Sequence, residues 1–402
     1  MTLVCSNFTS LSALPALGDV MSLTRRDFAR TVGLGTVGMF SSPFIIGRGH
    51  EAAAFEPPLP KGLDLAGIIR ISSNENARGP GPNAMAALHQ SIGVRAGRGY
   101  PADNTTELVT AIAEQFGVED ANVVIGTGST ALLVGAVRAF CSPSKGLVTA
   151  SPTYGTPDQT ARRIGAPVTM IPVDASLGLD LRAMADAATG AGLVFFCNPN
   201  NPTGTAHPIT AVQDFLRRVK RNSPETAILI DEAYIDYSMD PTVRSAVSLT
   251  QEFPGVFVTR TFSKAHGMAG LRIGYAVAQE ETIGALRGAW NYGDLNMITA
   301  AAAIASLKDT GHMDDERREN ARVREFTLSA FRSMGFDARE SHTNHIFLDL
   351  KRPASEFRDA CLAQNIQVGR DFPPMEHTYS RISLGTMDEM EQAVDVFRNV
   401  LK

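Results

Sequence analysis

"TAILIDEAY", residues 226–234, runs four apolar residues into a carboxylate, Asp231, with Tyr234 three positions on. An unbroken apolar run of this length reads as a short strand buried on both faces, because a half-exposed strand would alternate polar and apolar residues. The same pattern recurs outward from it. "NVVIG" (122–126), "GLVTA" (146–150), "PVTMIPV" (167–173), "GLVFFC" (192–197) and "GVFVTR" (255–260) are further apolar runs. Between them lie stretches with helical spacing, such as "TTELVTAIAEQF" (105–116), "TALLVGAVRAF" (130–140) and "AVQDFLRRVK" (211–220). Strands and helices in alternation predict an α/β fold: a mostly parallel sheet covered by helices on both faces, three layers in all. Ligands of such sheets bind at the carboxyl ends of the strands. Gly126, Asn198, Asp231 and Ser263 all fall at or just beyond those ends.

After a long helical stretch (about 313–334) the pattern changes. "HIFLDL" (345–350), a helix near "ASEFRDACLA" (354–363), "RISLG" (381–385) and a final helix "EMEQAVDVFRNV" (389–400) predict a smaller α+β domain. The expected organisation is a leader over 1–54, a segment over 55–90 that joins the small domain, a large domain over 91–310 and the small domain over 311–402. "GIIRISSNEN" (67–76) belongs to the joining segment.

The 402 residues are long enough for two cores. A net charge of −5 argues against a nucleic-acid footprint, and no helix-turn-helix pattern precedes the fold, which argues against a DNA-binding regulator. Cys5, Cys141, Cys197 and Cys361 are scattered, with no CxxC and no histidine at metal-ligand spacing, so reduced packed thiols are expected and no metal. "TRRDFAR" (24–30), a short glycine-broken apolar stretch and Ala52–Ala54 have the layout of an export signal and resemble a twin-arginine (Tat) leader. The apolar stretch is too short for a membrane span. A periplasmic location is the expectation, with the cytoplasm as the alternative. Met21 is the more typical start for such a leader.

"SKAHGMAGLR" (263–272) carries the chemistry. Lys264 offers an amine for covalent catalysis, with Ser263 and Arg272 beside it to hold an anion. An anion next to an amine suggests a phosphorylated aldehyde, and pyridoxal 5′-phosphate supplies both groups. "GTGSTALL" (126–133) is a glycine turn opening a helix, whose N–H groups near Ser129 and Thr130 can receive the phosphate. It is not the full dinucleotide fingerprint. Asp231 can pair with the ring nitrogen, Asn201 and Tyr234 can donate to the ring's phenolate oxygen, and Tyr154 in "SPTYGTP" can stack on the ring.

"NPNNPTG" (198–204), "DEAY" and "SKAHGMAGLR" resemble the signature of fold-type-I pyridoxal-phosphate aminotransferases. "NEN…GP", "RGYPADNTTEL" and "RISLGT" are similar to the histidinol-phosphate aminotransferase branch. The resemblance runs from about Ile71 to Met387. It implies Lys264 as the Schiff-base lysine and Asp231 as partner of the ring nitrogen. It also implies Asn201 and Tyr234 on the phenolate, Tyr154 on the ring, and Ser129, Thr130, Ser263 and Arg272 on the phosphate. Tyr100 would reach the phosphate of a neighbouring subunit, which makes the expected assembly a homodimer with shared active sites. Arg381 matches the arginine that grips the substrate carboxylate. Arg370 lies near where relatives bind a substrate phosphate. "NENARGP" has Ala77 and Arg78 where many relatives have Pro-Tyr, so Arg78 is a further candidate for a substrate's second anionic group. His266 is expected to pack rather than act as a base. The implied activity moves an amino group between an amino acid or related amine and a 2-oxo acid. The alternative on the same scaffold is a decarboxylase resembling threonine-phosphate decarboxylases.

Overall fold

The computed structural model describes residues 67–93 and 103–402. The leader and Tyr100 lie outside the described residues. In chain order the strands are β1 (Ile69–Ile71), β2 (Val123–Gly126), β3 (Leu147–Ser151), β4 (Val168–Pro172), β5 (Leu193–Cys197) and β6 (Ala227–Asp231). They continue with β7 (Val256–Thr261), β8 (Gly274–Ala278), β9 (His345–Asp349), β10 (Ile366–Val368) and β11 (Tyr379–Ser383). Seven of them form one sheet in the order β2-β8-β7-β6-β5-β3-β4. All neighbours are parallel except at β8, which runs against both β7 and β2.

The apolar runs are continuous because each strand feeds two cores. Along β5 and β6, Val194, Phe196, Ile228 and Ile230 join one hydrophobic cluster, while Leu193, Phe195, Cys197, Ala227 and Leu229 join another. Successive side chains point to opposite faces, so both sets must be apolar. One face is covered by the helices 103–116, 181–187, 209–222 and 297–308, and the other by 129–140, 156–163 and 280–289. The 209–222 helix shows how: Val212, Phe215, Leu216 and Val219 recur at i, i+3, i+4 and i+7 and are buried, with charged residues outward. Emptying such a position, as in Phe196→Ala, costs about 3–5 kcal/mol.

A third core lies apart in sequence. It joins Ile71 to residues 323–401, including Phe331, Phe357 and Phe397. Here β9 and β11 pair antiparallel, with Arg381 opposite Phe347 and Ser383 opposite His345. β1 pairs in parallel with β10, Ile69 opposite Ile366. The last helix, Met387–Val400, opens with a reciprocal cap between Thr386 and Glu389. Cys141, Cys197 and Cys361 are free and buried. No described helix is long and apolar enough to cross a membrane.

Candidate active site

A cavity of about 400 Å³ opens at the carboxyl ends of the parallel strands. Its walls include Ser129, Thr130, Tyr154, Asn201, Asp231, Tyr234, Ser263, Lys264, Arg272, Arg370 and Arg381. The chain brings these together from the end of β6 and the loops after β2, β3, β5, β6 and β7, with Arg370 from the loop after β10 and Arg381 from β11. Arg78 is not among them. Its guanidinium pairs with Asp315 at 2.8 Å and Glu316 at 3.1 Å, on the long helix Thr310–Ser333. Those carboxylates already hold the charge that the sequence offered to a substrate.

Asp231 ends β6 fully flanked, opposite Cys197 on one side and Thr259 on the other. Burial pushes its carboxyl up to about 7; the Thr259 hydroxyl, donating at 3.0 Å, and the nearby Lys264 ammonium hold it down, while Glu232 adds to the rise. Glu232 faces away, receiving hydrogen bonds from the Ser245 hydroxyl and the Ala246 N–H at 2.7 and 2.6 Å. An acid this buried awaits a cation.

Lys264 is half-buried, and its Nζ donates to the carbonyls of Asn74 at 2.9 Å and Ser73 at 3.3 Å. Burial pushes the amine down to about 8, aided by the Arg381 and Arg272 charges and opposed by Glu75 and Asp231. That shift keeps a share of it unprotonated near neutrality, as a nucleophilic amine requires.

The anion cradle is built from backbone. Gly128, at φ +85°, precedes the helix Ser129–Phe140, whose first N–H groups have no intrahelical partner. Arg272, itself left-handed at φ +57°, lies so close that a Cβ on Gly128 would sit 2.2 Å from its Nη2. A Cβ on Gly274 would sit 2.3 Å from the Ser129 nitrogen. Arg272 Nη1 reaches Ala269 O at 2.8 Å and Ser263 Oγ at 3.4 Å. Three hydroxyls (Ser129, Thr130 and Ser263), a helix N-terminus and a guanidinium thus converge with no acid among them, as a phosphate requires.

Arg381 is buried. Its Nη1 donates to Asn201 Oδ1 at 2.9 Å and its Nη2 to Ser72 O at 2.6 Å, both uncharged acceptors, and its Nε has no partner. Because Arg only donates, Asn201 must turn its oxygen to Arg381 and its NH₂ away from it. Burial pushes Arg381 down to about 10, toward a site short of an anion. Arg370 is exposed at the cavity mouth, its guanidinium 4.3 Å above the Phe372 ring.

Four residues of this region have no role assigned from the sequence. Asn74, Asn344, His345 and Ser383 form a buried polar cluster behind Tyr234 and Lys264. Asn74 sits at φ +55°, a conformation that Asn tolerates better than most residues, but nothing in "NEN" announces it. His266 packs as expected: its Nδ1 is 2.7 Å from Ser306 Oγ, its ring lies against Phe262, and burial pushes it down to about 4.

The donor set fits pyridoxal 5′-phosphate group by group: the cradle for the phosphate, Asp231 for the ring nitrogen, Asn201 and Tyr234 for the phenolate oxygen, Lys264 for the aldehyde. Comparison with known proteins agrees. The family model for aminotransferase class I and II matches residues 66–397. The histidinol-phosphate aminotransferase of Moorella thermoacetica is 32% identical over 364 residues, 89% of this chain and 90% of that protein. An aromatic amino acid aminotransferase of Rhodococcus opacus is 34% identical over 333 residues, 82% of this chain and 89% of that one. Among solved structures, the histidinol-phosphate aminotransferase from Sinorhizobium meliloti in complex with pyridoxal 5′-phosphate has a TM-score of 0.76 and 27% identity, covering 87% of this chain and 98% of its own.

Proposed function

Because the chain belongs to the class I and II aminotransferases, with pyridoxal 5′-phosphate as cofactor, we propose that Arg381 grips the α-carboxylate of its amino- and 2-oxo-acid substrates. On this reading Arg370 meets a second anionic group, a phosphate or distal carboxylate, at the mouth. The observation that carries it is the buried, unpartnered Nε of Arg381 on the wall that also holds Lys264.

The bound cofactor supplies the aldehyde that takes up the amino group and a ring that accepts the electrons released at the substrate's α-carbon. The protein's own residues do the rest. The Arg381 fork fixes the substrate's carboxylate in one plane, which sets the orientation of the α-hydrogen. Lys264 Nζ, with its lowered basicity, takes the α-proton and returns it. Asp231 keeps the ring-nitrogen proton in place, and the cation there relieves the cost of burying its carboxylate. Asn201 and Tyr234 donate to the phenolate oxygen. Ser129, Thr130, Ser263 and Arg272 anchor the phosphate.

An amino-donor panel with 2-oxoglutarate, followed by amino transfer and by released CO₂, tests the reading. Lys264→Ala should abolish turnover. Arg381→Lys should lower kcat/KM for the 2-oxo acid roughly 100-fold, because lysine offers a point charge instead of a planar pair of donors. Unchanged kcat/KM would remove Arg381 from the substrate site.

Two further parts of the proposal rest on the sequence. A homodimer in which Tyr100 serves the partner's site predicts that mixed Lys264→Ala and Tyr100→Phe proteins regain activity that neither has alone. Periplasmic export rests on the Arg25–Arg26 leader and predicts processed protein in the periplasmic fraction; unprocessed protein found only in cytosol would remove it.

A further inference from the structure

His345 does not line the cavity, yet its ring meets Tyr234 edge-on, with centroids 5.2 Å apart at 78°. Every hydrogen bond in the cluster around it can be given a direction. The Asn74 backbone N–H donates to Ser383 Oγ at 2.8 Å, and the Ser383 hydroxyl in turn lies 2.6 Å from Asn74 Oδ1. The Asn74 oxygen lies toward Ser383, where it accepts that hydroxyl hydrogen. Its NH₂ then faces Tyr234 Oη at 3.0 Å and His345 Nδ1 at 2.8 Å. An NH₂ carries two hydrogens and accepts nothing, so one goes to the Tyr234 oxygen and the other to a lone pair on Nδ1. The imidazole hydrogen must therefore sit on Nε2, which is 3.1 Å from the Pro202 carbonyl, a group that only accepts. The chain of donors closes without conflict.

Its consequence falls on Tyr234. The phenol oxygen already receives a hydrogen from Asn74, so its own hydrogen is turned away from Asn74 and left for the cavity that Tyr234 lines. Burial, with the Arg381 and Lys264 charges, holds the imidazole well below its ordinary range, in keeping with a neutral ring. The β9–β11 ladder sets the geometry, placing His345 directly opposite Ser383 on either side of Asn74.

We infer that His345 is a positioning residue for amino transfer: held as the Nε2–H tautomer by the Pro202 carbonyl, it fixes the Asn74 amide so that Tyr234 donates its hydroxyl hydrogen to the cofactor's phenolate oxygen. The other tautomer would set two donors against each other at 2.8 Å. Without an acceptor at Nδ1, one Asn74 hydrogen is buried unpaired, and the amide gains by turning, which lets Tyr234 spend its hydrogen on Asn74 instead. The inference rests on the placement of the phenolate oxygen against Tyr234 given above.

Two measurements judge it separately. In cofactor-free protein labelled with ¹⁵N-histidine, His345 should show a pyridine-like Nδ1 and a pyrrole-like Nε2. The reverse pattern, or a doubly protonated ring, overturns the inference. In loaded protein the readout is the pH midpoint of the cofactor's absorbance band. A donor on the phenolate oxygen lowers the proton affinity of the nitrogen that links the cofactor to Lys264. His345→Phe keeps the edge-on ring but removes the acceptor, and should raise that midpoint by about one pH unit, a tenfold change in proton affinity. His345→Asn, which restores an acceptor near Nδ1, should stay close to wild type. In a Tyr234→Phe background, His345→Phe should shift nothing further. No shift in the single variant, or an equal shift without the Tyr234 hydroxyl, overturns the inference. Should His345→Phe fail to fold, the wild-type tautomer and the Asn variant decide. A protein that never develops the absorbance band refutes the cofactor placement instead, and the tautomer measurement still judges His345.

Discussion

Asp231→Asn should make the cofactor-free protein more stable and the loaded protein less so. Burial raises the carboxyl from its ordinary 3.8 to about 7. An acid with a folded pKa above its unfolded value binds more protons when folded, so stability falls as pH rises from about 4 to about 7 and is level above that. Three pH units at 1.36 kcal/mol each give ~4 kcal/mol, of which about 2–3 kcal/mol develops between pH 5 and pH 8. Asparagine has no charge to desolvate, and its Oδ1 can still accept from the Thr259 hydroxyl. The stability gap between variant and wild type should thus widen by about 2–3 kcal/mol from pH 5 to pH 8, or about 4 °C in Tm for a chain of this size. Thermal melts of cofactor-free protein at pH 5, 6, 7 and 8 measure it. Adding pyridoxal 5′-phosphate should reverse the order, because only the aspartate gains a cationic partner. A gap independent of pH, or one that narrows as pH rises, would refute the view that Asp231 is a buried acid held in reserve for a ligand's cation.

Covalent capture of pyridoxal 5′-phosphate by cofactor-free protein should rise with pH through a midpoint near 8, since Lys264 is pushed down to about 8. At pH 7.5 roughly a quarter of such an amine is unprotonated, against about one part in a thousand for an ordinary lysine; a midpoint above 10 would contradict the burial argument. Gly274→Ala puts a methyl 2.3 Å from the Ser129 nitrogen and should force the helix start outward. The cost is about 1–3 kcal/mol of stability together with weaker cofactor retention, read by melting and by dialysis. Arg78→Ala removes an exposed pair with Asp315 and leaves the buried Glu316 without its cation, and should cost about 1–3 kcal/mol while leaving kcat/KM within twofold. A tenfold fall would return Arg78 to the substrate site.

The sheet was legible because burial on both faces leaves strands no room for polar residues, and the strand ends were legible because chemistry begins where that constraint stops. Asp231, Lys264 and Ser129 follow from that rule. β8, "GYAVA", was overshadowed by the neighbouring lysine–arginine motif and is the one strand of the sheet that runs against its neighbours. What stayed hidden depends on pairs far apart in the chain. Arg78 looked free because Asp315 and Glu316 lie well over 200 residues away. Asn74 and His345 looked like a loop residue and a strand start. Their roles follow from a left-handed backbone at Asn74 and from the β9–β11 register, neither of which leaves a local mark in sequence.

The parallel pairing of β1 with β10 also sets a schedule. Ile69 is among the first described residues to leave the ribosome, and its partner Ile366 is among the last, on the order of 300 residues later. At bacterial-to-eukaryotic synthesis rates of about 5–20 residues per second, the stretch bearing Asn74 waits roughly 15–60 s for the strand that seats it. The nascent chain can assemble its central sheet in that interval, but not the shelf of carbonyls on which Lys264 rests. The residues that would hold the cofactor, Ser129 to Arg272, all precede that strand, so a chain stopped before residue 366 should bind it but retain it more weakly than the full-length enzyme.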